Sequence, residues 1–347
     1  MERESHLIMK EIIKHKITHN VNRLKTSLKW VVFAILSGVL VGSVGTLFYL
    51  CMALVTLVRT KNPWLIFLLP VGGILIVGAY RLLHDERDTG TNLVLSAIHS
   101  GDELPLRMAP LIFISTLITH LFGGSAGREG AALQLGGSIG NGLGRLFHFD
   151  EKDKHIMIMC GMSAAFSALF GTPMAAAIFS MEVVSVGVMY YAAIVPCVVS
   201  SLVSVQLARF FGLHIGTGYL IGNVAVLGPW SMAQVCVMGV LCALLSILFC
   251  KVMHASPRLY QKYFPSTMLR VTVGALLVLA LTLLVGNQDY NGAGDPVIRR
   301  MLSGETIPEA FLLKILFTAL TLGAGFRGGE IVPVLFTGCA FGTWAGP

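Results

Sequence analysis

The sequence predicts an all-α integral membrane protein that contains broken and partial-span helices. Of its 347 residues, 55% are hydrophobic and only 12% are charged, and the mean hydropathy is +0.76. A soluble domain carries about 25% charged residues, so this chain lacks the polar surface that water requires. Apolar runs also recur along most of its length without a long polar linker. We therefore expect one multi-pass domain with a lipid bilayer as its solvent.

Apolar runs of the length of a membrane helix, about 20 residues, set the expected order of elements. They lie near residues 30–58, 64–83, 106–123, 154–170, 173–210, 232–253, 268–285 and 309–325. Two further runs, 131–147 and 331–346, are interrupted by glycines and predict helices that stop partway across. Irregular backbone at membrane depth is tolerated only where protein or a water-filled cavity surrounds it. These two runs therefore indicate an ion site.

The chain opens with a basic arm, residues 1–29, which holds seven Lys and Arg residues against three Glu. Basic flanks of membrane spans stay in the cytoplasm, so we expect a cytoplasmic N-terminus and a membrane domain over 30–347. His6, His15 and His19 lack the ligand spacing of a metal site. A basic cluster beside a span commonly sets topology, so we expect no metal and no nucleic-acid partner.

Two glycine-rich segments, 124–130 and 323–330, are similar to each other and suggest an internal repeat. Each follows an apolar run, carries an Arg and a Glu among glycines, and opens a glycine-interrupted apolar run. Arg128 and Arg327 lie 199 residues apart in this alignment. Corresponding broken segments in two halves of a chain indicate the binding site of a transporter. Chance similarity between glycine-rich turns is the alternative.

Glu129 is the first candidate functional residue, because a carboxylate inside a membrane is costly without a function or a partner. It stands where a helix is expected to begin, and the free N–H groups of a helix N-terminus bind anions and carboxylates alike. Glu129 would then compete with a transported anion and leave when protonated, as a gate and a proton carrier. The alternative is a plain ion pair. Arg128 is either its partner or an attractor of anions, and Gly127 and Gly130 are expected to line the path.

Glu330 is the second candidate, since it also precedes a glycine-interrupted apolar run. It either lines the anion path, with Ile331 and Val332 beside it, or pairs with Arg327.

The third candidate is the polar stretch Thr89, Gly90 and Asn92, which is expected to donate hydrogen bonds to an anion. Thr and Asn are also common helix caps, so a purely structural role is the alternative. Glu182 is either a second proton site or a carboxylate near a helix end. The chain contains no HExxH, GxxxxGK[ST] or GxSxG motif, so we expect neither an enzyme nor a cofactor.

These segments resemble the CLC family of anion channels and transporters. Gly127–Gly130 resembles the family's GREG/GKEG loop, Gly328–Pro333 is similar to its second-half GGxxxP loop, and 88–92 takes the place of its first anion-binding loop, usually GSGIP. The resemblance covers nearly the whole chain, 30–347.

The resemblance implies a CLC-like inverted-repeat helical bundle that forms a homodimer, with one ion path in each subunit. It implies that the anion site is built from helix N-termini, that Glu129 is the gating glutamate, and that Thr89, with Gly90 beside it, occupies the first-loop hydroxyl position.

Three departures from the usual family pattern resemble its fluoride-exporting bacterial branch. Asn92 stands at the usual proline position, Glu330 adds a charge to the second loop, and Val183 follows Glu182 where common antiporters have a second acid. Val332 departs from the branch, which often has Thr there. The resemblance implies fluoride/proton antiport at a bacterial inner membrane. The alternative is a chloride channel or a chloride/proton antiporter.

The sequence given ends at Pro347, soon after the second-half loop. The family continues with further helices, which include a tyrosine that closes the anion site and part of the dimer interface. We therefore expect the last C-terminal helices to be missing. A truncated, non-transporting membrane protein is a further alternative.

Overall fold

A computed structural model of the chain describes residues 2–83, 90–100, 104–184, 189–213 and 228–346, without the side chains of residues 2–24, 91, 92, 99 and 100. The regular structure of the described part consists of α-helices and two short 3-10 helices. The α-helices are α1 (Glu2–Lys61), α2 (Leu69–Leu82), α3 (Thr91–Ser100), α4 (Met108–Leu121), α5 (Glu129–Leu146), α6 (Glu151–Phe170), α7 (Pro173–Glu182), α8 (Ile194–Phe210), α9 (Pro229–Tyr263), α10 (Thr267–Val285), α11 (Asp295–Leu302), α12 (Ala310–Ala324) and α13 (Ile331–Ala345).

The membrane character of the fold is carried by five segments that are long and apolar enough to span a bilayer. They are Lys25–Lys61, Pro63–Leu82, Tyr191–Phe210, Pro229–Tyr263 and Thr267–Val285. The helices α4, α12 and α13 are apolar but shorter, so each covers only part of the hydrocarbon thickness. A combination of full and partial spans is therefore present, but the predicted runs 106–123, 154–170 and 309–325 are not among the five candidate spans, and the helices α4 and α12 are shorter than predicted. α1 continues without a break through the predicted boundary between arm and membrane domain at residues 29 and 30.

The structure adds two details to the predicted element order. The run 173–210 is not one helix, because α7 ends at Glu182 and α8 begins at Ile194 after a 3-10 turn. The short helix α11 was not predicted, because its polar composition hides it from a search for apolar runs. It buries only Val297 and Met301, four residues apart on one face.

The helices form an inverted repeat in which α9–α13 repeat the order of α1–α5. In the first half α4 packs against α1, α2 and α5, and in the second half α12 packs against α9, α10 and α13. The short helices α3 and α11 contact α5 and α13 respectively, and α2 packs on α10 to join the halves. This arrangement brings the glycine-rich starts of α5 and α13 to the centre.

Helix α5, which begins at Glu129, packs very closely against α6. A side-chain carbon at Gly136 would collide with the carbonyl group of Gly161, and one at Gly161 would collide with that of Gly136. The same holds one turn along α5, where Gly140 lies against the carbonyl group of Met157. Small residues let membrane helices approach this closely, so these glycines hold α5 in place.

We expect Gly161→Ala to destabilise the protein, because the added methyl group must push α5 and α6 apart. Overpacking of this kind costs about 1–3 kcal/mol. The matched control is Gly239→Ala on α9, where nothing lies within 4 Å of the added carbon. That variant should be neutral or slightly stabilised, because Ala is the better helix former. Thermal unfolding in detergent measures both, and equal unfolding midpoints would contradict this packing.

Candidate functional site

The starts of α5 and α13 are held together by a pair of backbone hydrogen bonds. The N–H of Gly127 donates to the carbonyl oxygen of Gly329 at 2.6 Å. In return, the N–H of Gly329 donates to the carbonyl oxygen of Gly127 at 2.7 Å. This isolated antiparallel bridge has a local twofold axis between its residues. Two helix N-termini, at Glu129 and Ile331, therefore meet across that axis.

The repeat aligns with an offset of 202 residues, which corrects the alignment of Arg128 with Arg327. Gly123 and Gly325 both have positive φ, at 82° and 111°. Two residues, Arg128 and Glu330, cap the two helices with nearly the same backbone angles. The arginine of the second half therefore has Ser125 as its counterpart, because the second loop places its charged residues in a different order.

Glu129 joins the two N-termini, since its side chain is fully buried and reaches the partner helix. Its Oε2 accepts a hydrogen bond from the N–H of Val332, in the first turn of α13, at 3.3 Å. Its Oε1 has no hydrogen-bond partner in the described part of the chain. The free N–H groups and partial positive charge of a helix N-terminus favour a negative group at this position. The carboxylate thus occupies a place that suits a small anion.

Glycines 127 and 329 leave the room for this carboxylate. A side-chain carbon at Gly329 would lie 2.7 Å from Oε2 of Glu129 and 2.7 Å from the backbone nitrogen of Gly130. One at Gly127 would also collide with Oε2. Close approach to the carboxylate therefore requires glycine at positions 127 and 329.

Arg128 turns away from Glu129 and makes no ion pair in the part of the chain described. Its guanidinium lies 5.0 Å from the ring centre of Tyr49 on α1 and 6.0 Å from that of Phe170 on α6. Arg327 takes a similar position over the ring of Tyr80, at 4.2 Å. Such stacking over an aromatic face stabilises a partly desolvated cation.

A cavity of about 230 Å³, here called the Gly90 cavity, borders the bridge on one side. Its lining includes Gly90, Gln134, Arg327, Gly329 and Glu330. The side chain of Glu330 is exposed, whereas its neighbour in sequence on α13, Ile331, is half-buried. Of the predicted polar stretch only Gly90, with a φ of 72°, is fully described, because Thr89 and the side chain of Asn92 lie outside the described residues.

Gln134 is a residue of the site that the sequence analysis missed. It lies five residues after Glu129 on α5, is only 2% exposed, and its Oε1 has no hydrogen-bond partner in the described part. It lines the Gly90 cavity. The sequence did contain a signal for Gln134, because it is a lone amide in an apolar helix that starts at Glu129. A buried amide group is seldom left unpaired, so such a residue is a candidate for ligand binding.

Two of the remaining candidates lie elsewhere. Glu182 is the last residue of α7 and its side chain is exposed, and Val183 packs at the edge of a hydrophobic cluster. No group of His, Cys, Asp and Glu suited to a metal ion exists among the described residues, which exclude the side chains of His6, His15 and His19.

Comparison with known proteins identifies the family. The sequence profile described as "Voltage gated chloride channel" matches residues 72–347. A "Chloride/fluoride channel protein" of Pseudomonas syringae pv. tomato is 36% identical over 326 residues, which cover 92% of this chain and 72% of the relative. A putative chloride channel protein of Ralstonia nicotianae is 27% identical, with 83% and 69% covered.

Two solved structures share the fold. A CLC-type fluoride/proton antiporter superposes with a TM-score of 0.85 at 30% identity, and the match covers 92% of this chain and 82% of that one. A slow cyanobacterial Cl⁻/H⁺ antiporter superposes with a TM-score of 0.71 at 19% identity, with 89% and 76% covered. Together with the paired helix N-termini at Glu129, these similarities show that the chain belongs to the voltage-gated chloride channel family, the CLC anion channels and transporters.

Proposed function

We propose that this protein exchanges fluoride for protons across a bacterial inner membrane, with its N-terminus in the cytoplasm and as a homodimer. The observation that carries the proposal is the position of Glu129. Its carboxylate accepts a hydrogen bond from a backbone N–H at the start of α13, where a transported anion would also bind.

The proposed cycle follows from competition at the two helix starts. An arriving anion takes the N–H groups, and the displaced carboxylate of Glu129 binds a proton. The neutral side chain then carries that proton when it returns. Each event links one anion to one proton site, so anion and proton movements are coupled through a single residue.

Fluoride is favoured over chloride by the polar groups beside the path. Fluoride is small and strongly hydrated, so a site must replace its water with several hydrogen-bond donors. Backbone N–H groups at the starts of α5 and α13 and the amide of Gln134 provide donors of this kind, and Asn92 and Glu330 match the fluoride-exporting branch. The relative from P. syringae is named for chloride and fluoride, and the structure with the 0.85 TM-score is a fluoride/proton antiporter.

A chloride channel or chloride/proton antiporter is the second candidate. The named chloride channel relatives favour it, and Val183, which cannot carry a proton, is compatible with a channel. The partly exposed Val183 side chain packs against apolar neighbours, so any proton that passes must use another route.

Protein reconstituted in liposomes is expected to move fluoride faster than chloride, because a site made of N–H and amide donors compensates the stronger hydration of fluoride. An ion-selective electrode outside the liposomes measures the release of each halide. Equal rates would contradict the selectivity and favour the chloride alternative.

Glu129→Gln is expected to abolish the coupling to protons, since the amide keeps the size of the side chain and cannot carry a proton. A pH gradient imposed without a fluoride gradient should drive fluoride uptake in the wild type and in the matched control Glu151→Gln, an exposed carboxylate at the start of α6. Uptake that persists in Glu129→Gln would refute the role of Glu129.

Gly329→Ala should slow halide transport by about tenfold or more, because the added carbon displaces the carboxylate and blocks the helix starts. A steric penalty of about 1–3 kcal/mol corresponds to a factor of this size. The control is Gly338→Ala on the same helix, where nothing lies within 4 Å of the added carbon. Equal transport rates for the two variants would show that the glycine is not needed for the gate.

A further inference from the structure

A second cavity of about 700 Å³, here called the Arg59 cavity, opens beside the end of α1. Its lining includes Arg59, Pro63, Thr282 and Asn291. Pro63, which lines the Arg59 cavity, is the first residue of the spanning segment Pro63–Leu82. Arg327, which lines the Gly90 cavity, stacks on Tyr80 near the other end of that segment. The two cavities therefore lie at opposite ends of one membrane span.

Arg59 lines this cavity with a positive charge that forms no ion pair among the described residues. Its side chain is 8% exposed, and its guanidinium presses so closely on Gly292 that a side-chain carbon there would collide with it. Its Nη1 has no hydrogen-bond partner, and the guanidinium forms no ion pair within the described residues.

Lys314 on α12 places a second buried cation on the same loop. Its side chain is 0% exposed, and its Nζ donates to the carbonyl oxygens of Gly292 at 2.7 Å and of Tyr290 at 3.1 Å. The ring of Phe336 lies 5.2 Å away. Both hydrogen-bond partners are neutral carbonyl groups, so no carboxylate is bonded to Lys314 in the described part of the chain.

The acids near these cations do not bind them. Neither Asp295 nor Glu129 forms an ion pair with Arg59 or Lys314 in the described part of the chain, and the carboxylate of Asp289, which also lines the cavity, pairs with Arg300 instead. Two buried cations without bonded counter-charges are costly, and their mutual repulsion adds to this cost. A small anion held between them and the cavity would remove much of that penalty.

The loop around Gly292, which contacts both cations, is also hydrogen-bonded to the segment in front of Glu129. The N–H of Gly292 donates to the carbonyl oxygen of Gly124 at 3.0 Å, and the amide of Asn291 donates to that of Gly123 at 2.7 Å. An anion at Arg59 and Lys314 would therefore stand next to the gate on the side away from the Gly90 cavity.

We propose that Arg59 and Lys314 form a second anion site, separate from the helix starts at Glu129, that holds a small halide on the Arg59 side of the gate. The identity of the halide as fluoride rests on the proposed function, whereas the presence of the site rests on the cavity and on two buried basic groups that form no ion pair in the described part of the chain. The site would supply an anion directly to the gate loop.

Equilibrium dialysis of the purified full chain against sodium fluoride, with a fluoride electrode as detector, tests the proposal. Arg59→Gln is expected to lose one bound fluoride per chain or to bind it roughly tenfold more weakly, as for the loss of a hydrogen bond to a charged group. The matched control Lys61→Gln removes an exposed cation two residues further along α1 and should bind like the wild type. Equal binding by the two variants would overturn the site.

A second pair of variants keeps the test decisive if Arg59→Gln unfolds. Lys314→Arg retains the charge and should retain binding, whereas Lys314→Met should lose it, and equal binding by this pair would also overturn the proposal. Liposome flux separates this inference from the proposed function. If the wild-type protein binds the extra fluoride but does not transport it, the result supports the second site and contradicts the antiporter. If the wild-type protein transports fluoride and Arg59→Gln binds as much fluoride as the wild type, the result supports the antiporter and contradicts the second site.

Discussion

The two hydrogen bonds between Gly127 and Gly329 are the constraint on which the site depends. They hold two helix N-termini together inside the membrane, where the partial positive charges of the helices would otherwise repel each other. That arrangement is tolerable only with a negative group between the helices. The carboxylate of Glu129 supplies it in this structure, and a transported anion would supply it when the carboxylate leaves. The close glycine contacts of α5 with α6 fix the helix that carries Glu129, so packing and electrostatics act on the same element.

The charged residues around this centre have distinct positions. Arg128 and Arg327 are each placed over an aromatic ring, whereas Arg59 and Lys314 meet at the loop that is hydrogen-bonded to Gly123 and Gly124. Among the described residues, Arg59 and Lys314 form no ion pair with a carboxylate, so their positive charge lies near Gly123 and Gly124 without a bonded counter-charge. In a low-dielectric medium such charges act over a longer range than in water. On the proposed path, an anion in the Arg59 cavity would be attracted by these charges before it reaches the helix starts.

The sequence predicted the helical membrane fold and the place of Glu129, because both have local signals. Hydropathy reports each span, and a carboxylate among glycines stands out in an apolar chain. Other features depend on contacts that are remote in sequence. The repeat offset of 202 residues became visible only through the bridge and the positive-φ glycines, since Arg327 had suggested 199. Gln134, Arg59 and Lys314 were not singled out in the sequence because each lies within a helix without a local motif. Only the fold shows that Gln134 Oε1 and Arg59 Nη1 lack a hydrogen-bond partner in the described part, and that Lys314 contacts the same loop as Arg59.

The central claim is that Glu129 and an anion compete for the same helix N–H groups. Proton uptake on fluoride binding tests it most directly, because binding and protonation at one residue are reciprocally linked. Fluoride added to purified protein in a weakly buffered solution with a pH indicator should raise the pH in the wild type, as the displaced carboxylate binds protons, and should not do so in Glu129→Gln. Fluoride binding with no proton uptake, or the same uptake in both proteins, would contradict the account.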